Sequence, residues 1–368
     1  MTRVLYISGS IGLGHAGRDL AIANALRRRR PEVEIMWLAG DPARRLLEEA
    51  GETILPESEG FVESGVAEDN ADEFSLNVVQ YVLRARGAWK RAVAAFEQVN
   101  QRHGYDLLVG DEAYEVGMAM AKRPELRKAP FVMIYDFLGL DAMSWNPVER
   151  LAVWSINRMW GGGFKGAPPE EDLVLFVGEP TDVDDRPLGL GLSNRRRYAQ
   201  RHYNFLGYVF PFDPGDYADR AQVRAALGYD DRPLVVCSVG VEVRRFVPRL
   251  YEHFAAADVA VVQGGGRTIL ELSALRTPFL YFPLEDHFEQ NIVVAERVAR
   301  HGAGTRMRYS DTTPESLADT IGAHVGRPTA WRTISTSGAA RAAELIDGLL
   351  PAPARDPTPL GARLAHFV

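Results

Sequence analysis

Two stretches of this chain hold residue types that can bind and act on a phosphate-linked ligand. The first, Val259 to Asn291, reads VAVVQGGGRTILELSALRTPFLYFPLEDHFEQN. An apolar run ends at Gln263, and Gly264, Gly265 and Gly266 follow. Glycine removes side-chain bulk where backbone must approach a ligand. The free N–H groups and dipole of the next helix start favour an anion such as a diphosphate. A helix-like run opens at Thr268, which can cap it or hold a phosphate oxygen. Glu271, three residues on, shares that face and offers a carboxylate to the paired hydroxyls of a ribose. After a second apolar run come Glu285, Asp286, His287, Glu289, Gln290 and Asn291. Amides at the C-terminal end of a strand suit sugar hydroxyls. The bland reading is an ordinary βαβ turn with a solvated loop; three features in the right order favour the ligand site.

The second stretch is GSIGLGHAGRD, after the apolar run Val4 to Ile7. Gly12, Gly14 and Gly17 fit G-x-G-x-x-G, and Asp41 follows the next strand, so a dinucleotide-dependent oxidoreductase is a rival reading. His15 lies where the helix begins, a place that disfavours a cationic imidazole. It can serve as a general base toward a hydroxyl, or simply as a capping or packing histidine. Arg18, one turn later, can bind an anionic group or lie on the helix surface, and the surface is the favoured reading. Asp111 and Glu112 close another apolar run, Tyr105 to Gly110. At that edge of a parallel sheet an acid can orient His15, or Asp111 can cap the following helix.

These groups need strands and helices in alternation to position them. Strands are expected at Val4–Ile7, Val33–Leu38, Tyr105–Gly110, Phe131–Tyr135, Asp172–Val177, Pro233–Val239, Val259–Val262 and Phe279–Phe282, separated by helical runs. Residues 41 to 75 read as connections and short elements. The Trp-rich run from Met143 to Phe164 can line an apolar acceptor pocket, make a packing or dimer contact, or lie on a membrane, though it lacks a basic face. Arg195, Arg196, Arg197 and Arg201 read as a solvated face. Phe205 to Pro214 reads as a linker, which divides the chain into residues 1–206, 207–350 and a proline-rich tail, 351–368. Each half carries a glycine turn between strand and helix.

Composition narrows the class. With 46% apolar and 25% charged residues the chain is an ordinary globular protein. A net charge of −7 argues against nucleic acid as partner. Cys237 is the single cysteine, which excludes a disulfide framework or zinc cluster. With no bilayer-spanning stretch or signal-peptide pattern, a cytoplasmic location is expected.

The motifs resemble those of the GT-B glycosyltransferases. The likeness is to the branch holding the bacterial N-acetylglucosaminyltransferase of lipid-linked peptidoglycan disaccharide synthesis, and to the natural-product UDP-glycosyltransferases. QGGGRTILE, from Gln263 through Arg267 and Thr268 to Glu271, is similar to the family's donor turn. The resemblance implies an α/β fold of two Rossmann-like domains, their parallel sheets facing a central cleft. It implies that Gln290 and Asn291, with Glu289 adjacent, contact the donor sugar, and that Phe246 and Val247 meet uracil. It implies His15 as base, Asp111 as its partner, and Gly12 and Gly14 in the acceptor-side loop. The implied chemistry is inverting transfer from a UDP-sugar to a small-molecule or lipid acceptor, with no cofactor and no metal, in natural-product or glycolipid biosynthesis. Peripheral membrane contact and a monomeric or homodimeric state stay open. An epimerase of the same fold is a further rival. The chain departs from the family at Gln263, where many members carry histidine. It departs again after Gly240, where further βα units are expected and only a few residues intervene.

Overall fold

The computed structural model describes residues 2–8, 13–61, 78–142, 145–238, 247, 249–284 and 289–352. The first unit is built on β1 (Arg3–Ser8), α1 (Leu13–Arg29), β2 (Glu34–Ala39), α2 (Ala43–Glu49) and β3 (Thr53–Ile54). It continues through α3 (Val78–Arg102), β4 (Leu107–Asp111), α4 (Tyr114–Lys122), β5 (Phe131–Tyr135), α5 (Pro147–Trp160), β6 (Leu173–Phe176), α6 (Arg195–His202) and β7 (Asn204–Phe205). Its strands form a parallel sheet in the order β3-β2-β1-β4-β5-β6-β7. The strands are unbroken apolar runs because helices cover both faces. Leu5 and Ile7 face one core with Phe96, Val116 and Met133, while Val4 and Tyr6 face the other with Ile22, Leu26 and Trp37.

The order matters for function. β1 pairs with β2 on one side and β4 on the other. The strand order therefore reverses between β1 and β4, and a crevice opens at their C-terminal ends. β1 leads toward His15 there, and β4 ends on Asp111.

The second unit contains α7 (Arg220–Leu227), β8 (Val235–Ser238), α8 (Leu250–Ala256), β9 (Val259–Gln263), α9 (Gly266–Leu275) and β10 (Phe279–Phe282). A π-helical turn, Glu289–Val294, then runs into α10 (Ala295–His301), followed by β11 (Thr305–Arg306) and α11 (Pro314–His324). The described strands form a parallel sheet in the order β11-β10-β9-β8. β8 lies directly beside β9, so the short connection after Gly240 joins neighbouring strands.

The last helix, α12 (Gly338–Asp347), departs from the expected grouping with residues 207–350. It packs on α1, and its Ala342, Ala343 and Ile346 complete the apolar face around Trp37 and Ile22. The expected linker is also not a free tether. Phe205 belongs to β7, and Tyr208 and Phe210 are buried with Ile334. Asp182, from the first unit, accepts Arg297 Nε at 3.0 Å, Tyr208 Oη at 2.9 Å and the Arg300 guanidinium. Tyr208 Oη also meets His301 Nε2 at 3.1 Å. The two units are thus pinned by charge-assisted bonds at the hinge, and charge-assisted bonds are roughly twice as strong as neutral ones. Among the described residues no helix is long and apolar enough to cross a membrane.

Candidate active site

On the first unit, α1 presents His15, Arg18 and Asp19 three and four residues apart, hence on one face. All three point at the ends of β1, β4 and β5. His15 Nδ1 lies 3.1 Å from Asp111 Oδ2. Arg18 grips Asp111 twice, Nε to Oδ2 at 3.0 Å and Nη2 to Oδ1. Its Nη1 donates to Asp136 Oδ2 at 2.6 Å, and Nη2 lies 2.8 Å from His15 Nδ1. Asp19 accepts Tyr6 Oη at 3.0 Å and Ser8 Oγ at 2.6 Å from β1. Asp111 is fully buried and Arg18 is 8% exposed. Arg18 is therefore no surface residue: three of its donors are taken by buried or half-buried partners. Asp111 does not cap the next helix either, whose N-cap is Ala113 with no side-chain bond.

Four carboxyls crowd this single arginine, and their environments drive them apart. Burial alone would raise Asp111, but the Arg18 charge and His15 overcome it and hold the carboxyl below its usual range. Asp136 is held low in the same way, against burial, by Arg18 and then His15. Glu112 is pushed well up, first by burial and then by the Asp136 charge. Burial and the Asp111 charge raise Asp19 likewise. The cluster therefore pushes Asp111 and Asp136 toward the carboxylate form and Asp19 and Glu112 toward the protonated form, around one guanidinium. Glu112 is further marked by a left-handed backbone, φ 50°, and by a buried Oε1 without a hydrogen-bond partner. Such strain gathers at functional positions.

The donor turn lies across the crevice. α9 begins at Gly266, two residues before the expected start, with Gly265 as N-cap. Thr268 is consequently the third helical residue and makes no cap bond. The reason is that Gly265 at φ −64°, ψ 129° supplies the extended N-cap backbone without a side chain. Gly264 is required by packing, because a Cβ there would stand 3.1 Å from Pro283 Cα and from Gln290 Oε1. Gln263 is exposed at the end of β9. Glu271 is buried, and its Oε1 accepts Arg267 Nε at 2.8 Å. Arg267 also reaches over the crevice, Nη1 donating to Gly14 O at 3.3 Å. Its guanidinium fills the space where a Gly17 side chain would be, with Cζ 2.9 Å from that Cβ position. Gln290 Oε1 accepts Leu284 N at 2.9 Å, and Asn291 Oδ1 accepts Arg306 Nη2 at 2.6 Å. The two amides thus hold Leu284, just past β10, and Asn291 also ties to β11. Val247 is half-buried. Gly12, Phe246 and the side chain of Glu289 lie outside the described residues.

Other sequence expectations resolve locally. Asp41 pairs with Arg44 and Arg45 of the helix that follows it, at 3.2 Å and 3.7 Å. Arg195 is buried, not solvated, and holds Asp141 Oδ1 at 2.7 Å and Leu140 O at 2.9 Å. α5 packs Trp160 against Tyr114, Tyr135 and Phe137, while Val148, Leu151 and Met159 remain exposed.

Residues 213–347 match the Glycosyltransferase family 28 C-terminal domain. A glycosyltransferase of Methanopyrus kandleri is 33% identical over 290 residues, covering 70% of this chain and 80% of the relative. The chain is a GT-B glycosyltransferase. This glycosyltransferase is also 22% identical, over 84% of its length and 86% of the relative's, to the UDP-N-acetylglucosamine--N-acetylmuramyl-(pentapeptide) pyrophosphoryl-undecaprenol N-acetylglucosamine transferase of Bifidobacterium longum. Among solved structures, the kitacinnamycin glycotransferase superposes with a TM-score of 0.58 at 16% identity, covering 95% of this chain and 99% of the other. The calicheamicin glycosyltransferase CalG4 gives 0.54 at 14% identity, covering 95% and 94%. The fold is thus shared well beyond the reach of sequence. The glycosyltransferase identity does not favour the oxidoreductase and epimerase alternatives, and the first glycine loop belongs to the crevice that holds His15. Arg18 and Asp136 were not singled out by sequence as partners of His15. Of the two acids offered to orient it, Asp111 bonds the ring and Glu112 does not. The spacing of Arg18 and Asp19 from His15 on one helix was the available signal.

Proposed function

We propose that this glycosyltransferase moves a sugar from a UDP-sugar to a hydroxyl of a small-molecule or lipid acceptor, by direct displacement with inversion and without a metal. The observation that carries the reading is the part-buried His15 paired with the buried Asp111, set across the crevice from the glycine turn and linked to it by Arg267. His15 Nε2 takes the acceptor proton as the oxygen attacks the anomeric carbon. Asp111 accepts from Nδ1–H and fixes the ring. Asp111 and Asp136, both held toward the carboxylate form, face the one Arg18 guanidinium, so an imidazolium formed during reaction meets negative charge. The helix start at Gly266, with Gly264 and Gly265, offers N–H groups to the departing diphosphate, and Arg267 supplies a cation beside them. Glu271 exchanges Arg267 for the ribose hydroxyls. Gln290 and Asn291 release the Leu284 loop to meet the donor sugar, with Glu289 beside them, and Val247 with Phe246 lies against uracil.

The donor class is supported by the relative named for UDP-N-acetylglucosamine and by a spinosyn rhamnosyltransferase complexed with thymidine diphosphate, of TM-score 0.50. The acceptor class is supported by relatives named for an undecaprenol lipid and for natural products. The deciding experiment is a thermal-shift panel of nucleotide sugars followed by turnover with the best donor. His15→Ala is expected to lose about a hundredfold or more in kcat with little change in donor Kd, since general-base contributions run to that size. A loss below about tenfold overturns the base assignment, and a shift with NAD but none with UDP overturns the donor.

A further inference from the structure

We infer that Arg18 is a positioning residue that selects the tautomer of His15. The inference rests on the reading of His15 as base. His15 Nδ1 faces two partners that make opposite demands. Asp111 Oδ2, at 3.1 Å, only accepts, so it requires a proton on Nδ1. Arg18 Nη2, at 2.8 Å, only donates, so it requires a bare Nδ1. One nitrogen cannot satisfy both. The shorter contact selects the tautomer with Nδ1 bare and the proton on Nε2, the nitrogen that must be free to receive the acceptor's proton. The unliganded geometry is therefore a resting form.

The working form needs Nδ1–H donating to Asp111. Arg18 gives up little to allow it. Its Nε and Nη2 stay on Asp111 and its Nη1 on Asp136, so only the Nη2–Nδ1 contact is surrendered. Among the described residues, the other charged or titratable groups that act on Arg18, on Asp111 or on the His15 turn are Asp19 on α1, Tyr6 on β1, Glu112 after β4, Tyr114 on α4, Asp136 after β5 and Arg267 on α9. Asp19 and Tyr6 are bonded to each other. Burial pushes the Tyr114 hydroxyl and the Glu112 carboxyl well up from their ordinary values, which favours their neutral forms. Arg18 and Asp111 are thus the groups that decide which ring nitrogen carries the proton. A slow or rare tautomer exchange would then precede every transfer.

The test reads the ring directly. In protein labelled with 15N-histidine, the His15 signals are assigned by their loss in His15→Gln, and long-range 1H–15N correlations report the protonated nitrogen. The unliganded wild type is expected to show Nε2–H. Arg18→Met, close in volume and without donors, is expected to move the proton to Nδ1. A wild-type spectrum with Nδ1–H overturns the inference, as does an Arg18→Met spectrum unchanged from wild type. Should Arg18→Met not fold, Arg18→Lys serves instead: its ammonium still donates but cannot span Asp111 and Nδ1 together, and an unchanged Nε2–H there overturns the inference too. Failure of the base assignment is separable. It would appear as turnover surviving His15→Ala, whatever the tautomer in the spectrum.

Discussion

Glu271 offers the sharpest test of the donor site, because its unliganded partner is known. Its carboxylate takes Arg267 Nε at 2.8 Å, with the arginine side chain 38% exposed and the glutamate 8% exposed. Ribose hydroxyls must displace that contact. A hydrogen bond to a charged group is worth about 1.5–3 kcal/mol, and a partly exposed i,i+4 ion pair about 0.3–0.5 kcal/mol. The net gain on binding is then about 1–2.5 kcal/mol, or roughly 5- to 60-fold in Kd. Calorimetry of UDP and 2′,3′-dideoxy-UDP against wild type and Glu271→Ala closes a thermodynamic cycle. Wild type should prefer UDP by that factor, and Glu271→Ala should bind both ligands alike. If the variant keeps the wild-type preference, the ribose is held elsewhere and the reasoning about this turn is wrong. If it binds UDP as tightly as wild type, Glu271 serves only to hold Arg267.

Other expectations follow from single contacts. Arg267→Met should weaken UDP about tenfold and leave uridine unchanged, as expected for a lost charge-assisted phosphate contact, and calorimetry reads the difference. Gly338→Ala places a Cβ 2.5 Å from Tyr208 O and 2.8 Å from its carbonyl carbon, both backbone, so α12 must shift off α1; a loss of about 1–3 kcal/mol is expected in urea denaturation. Asp182→Ala strands the buried Arg297 and should cost about 3–5 kcal/mol by the same measurement. Glu112 and Asp19 bind protons in the native state that the unfolded chain releases above about pH 4. Their contribution to stability is full below that value and is lost as pH rises toward the raised folded values, so stability should decline as pH climbs above the ordinary carboxylate range, and Glu112→Gln should flatten the decline. Asp111 acts oppositely: its contribution is present above the ordinary carboxylate range and is lost as pH falls below it.

The first sheet was legible because its strands are buried on both faces. A continuous apolar run then marks each one, and Phe131–Tyr135 is found at its expected bounds. The start of α9 was less legible, since glycines read as turn although Gly266 is already helical. The return of α12 to the first unit was not legible at all. Its small residues Ala342 and Ala343 permit close packing on α1, but nothing in their own segment says which helix they meet.

The site divides along the same line. His15 and Asp111 were readable because each follows a strand whose C-terminal end must line the crevice once the sheet order reverses between β1 and β4. Topology alone brings them together across 96 residues. Arg18 was misread because an arginine on a helix is usually solvated, and only the buried Asp111, 93 residues away, pulls it inward. Asp136, which directly follows a strand, was passed over for the same reason. An arginine at i+3 from a glycine-loop histidine, in a chain with acids at two strand ends, should therefore be weighed as part of the buried cluster and not of the surface. The burial cost of those acids demands a cation, and α1 presents Arg18 on the face that meets them.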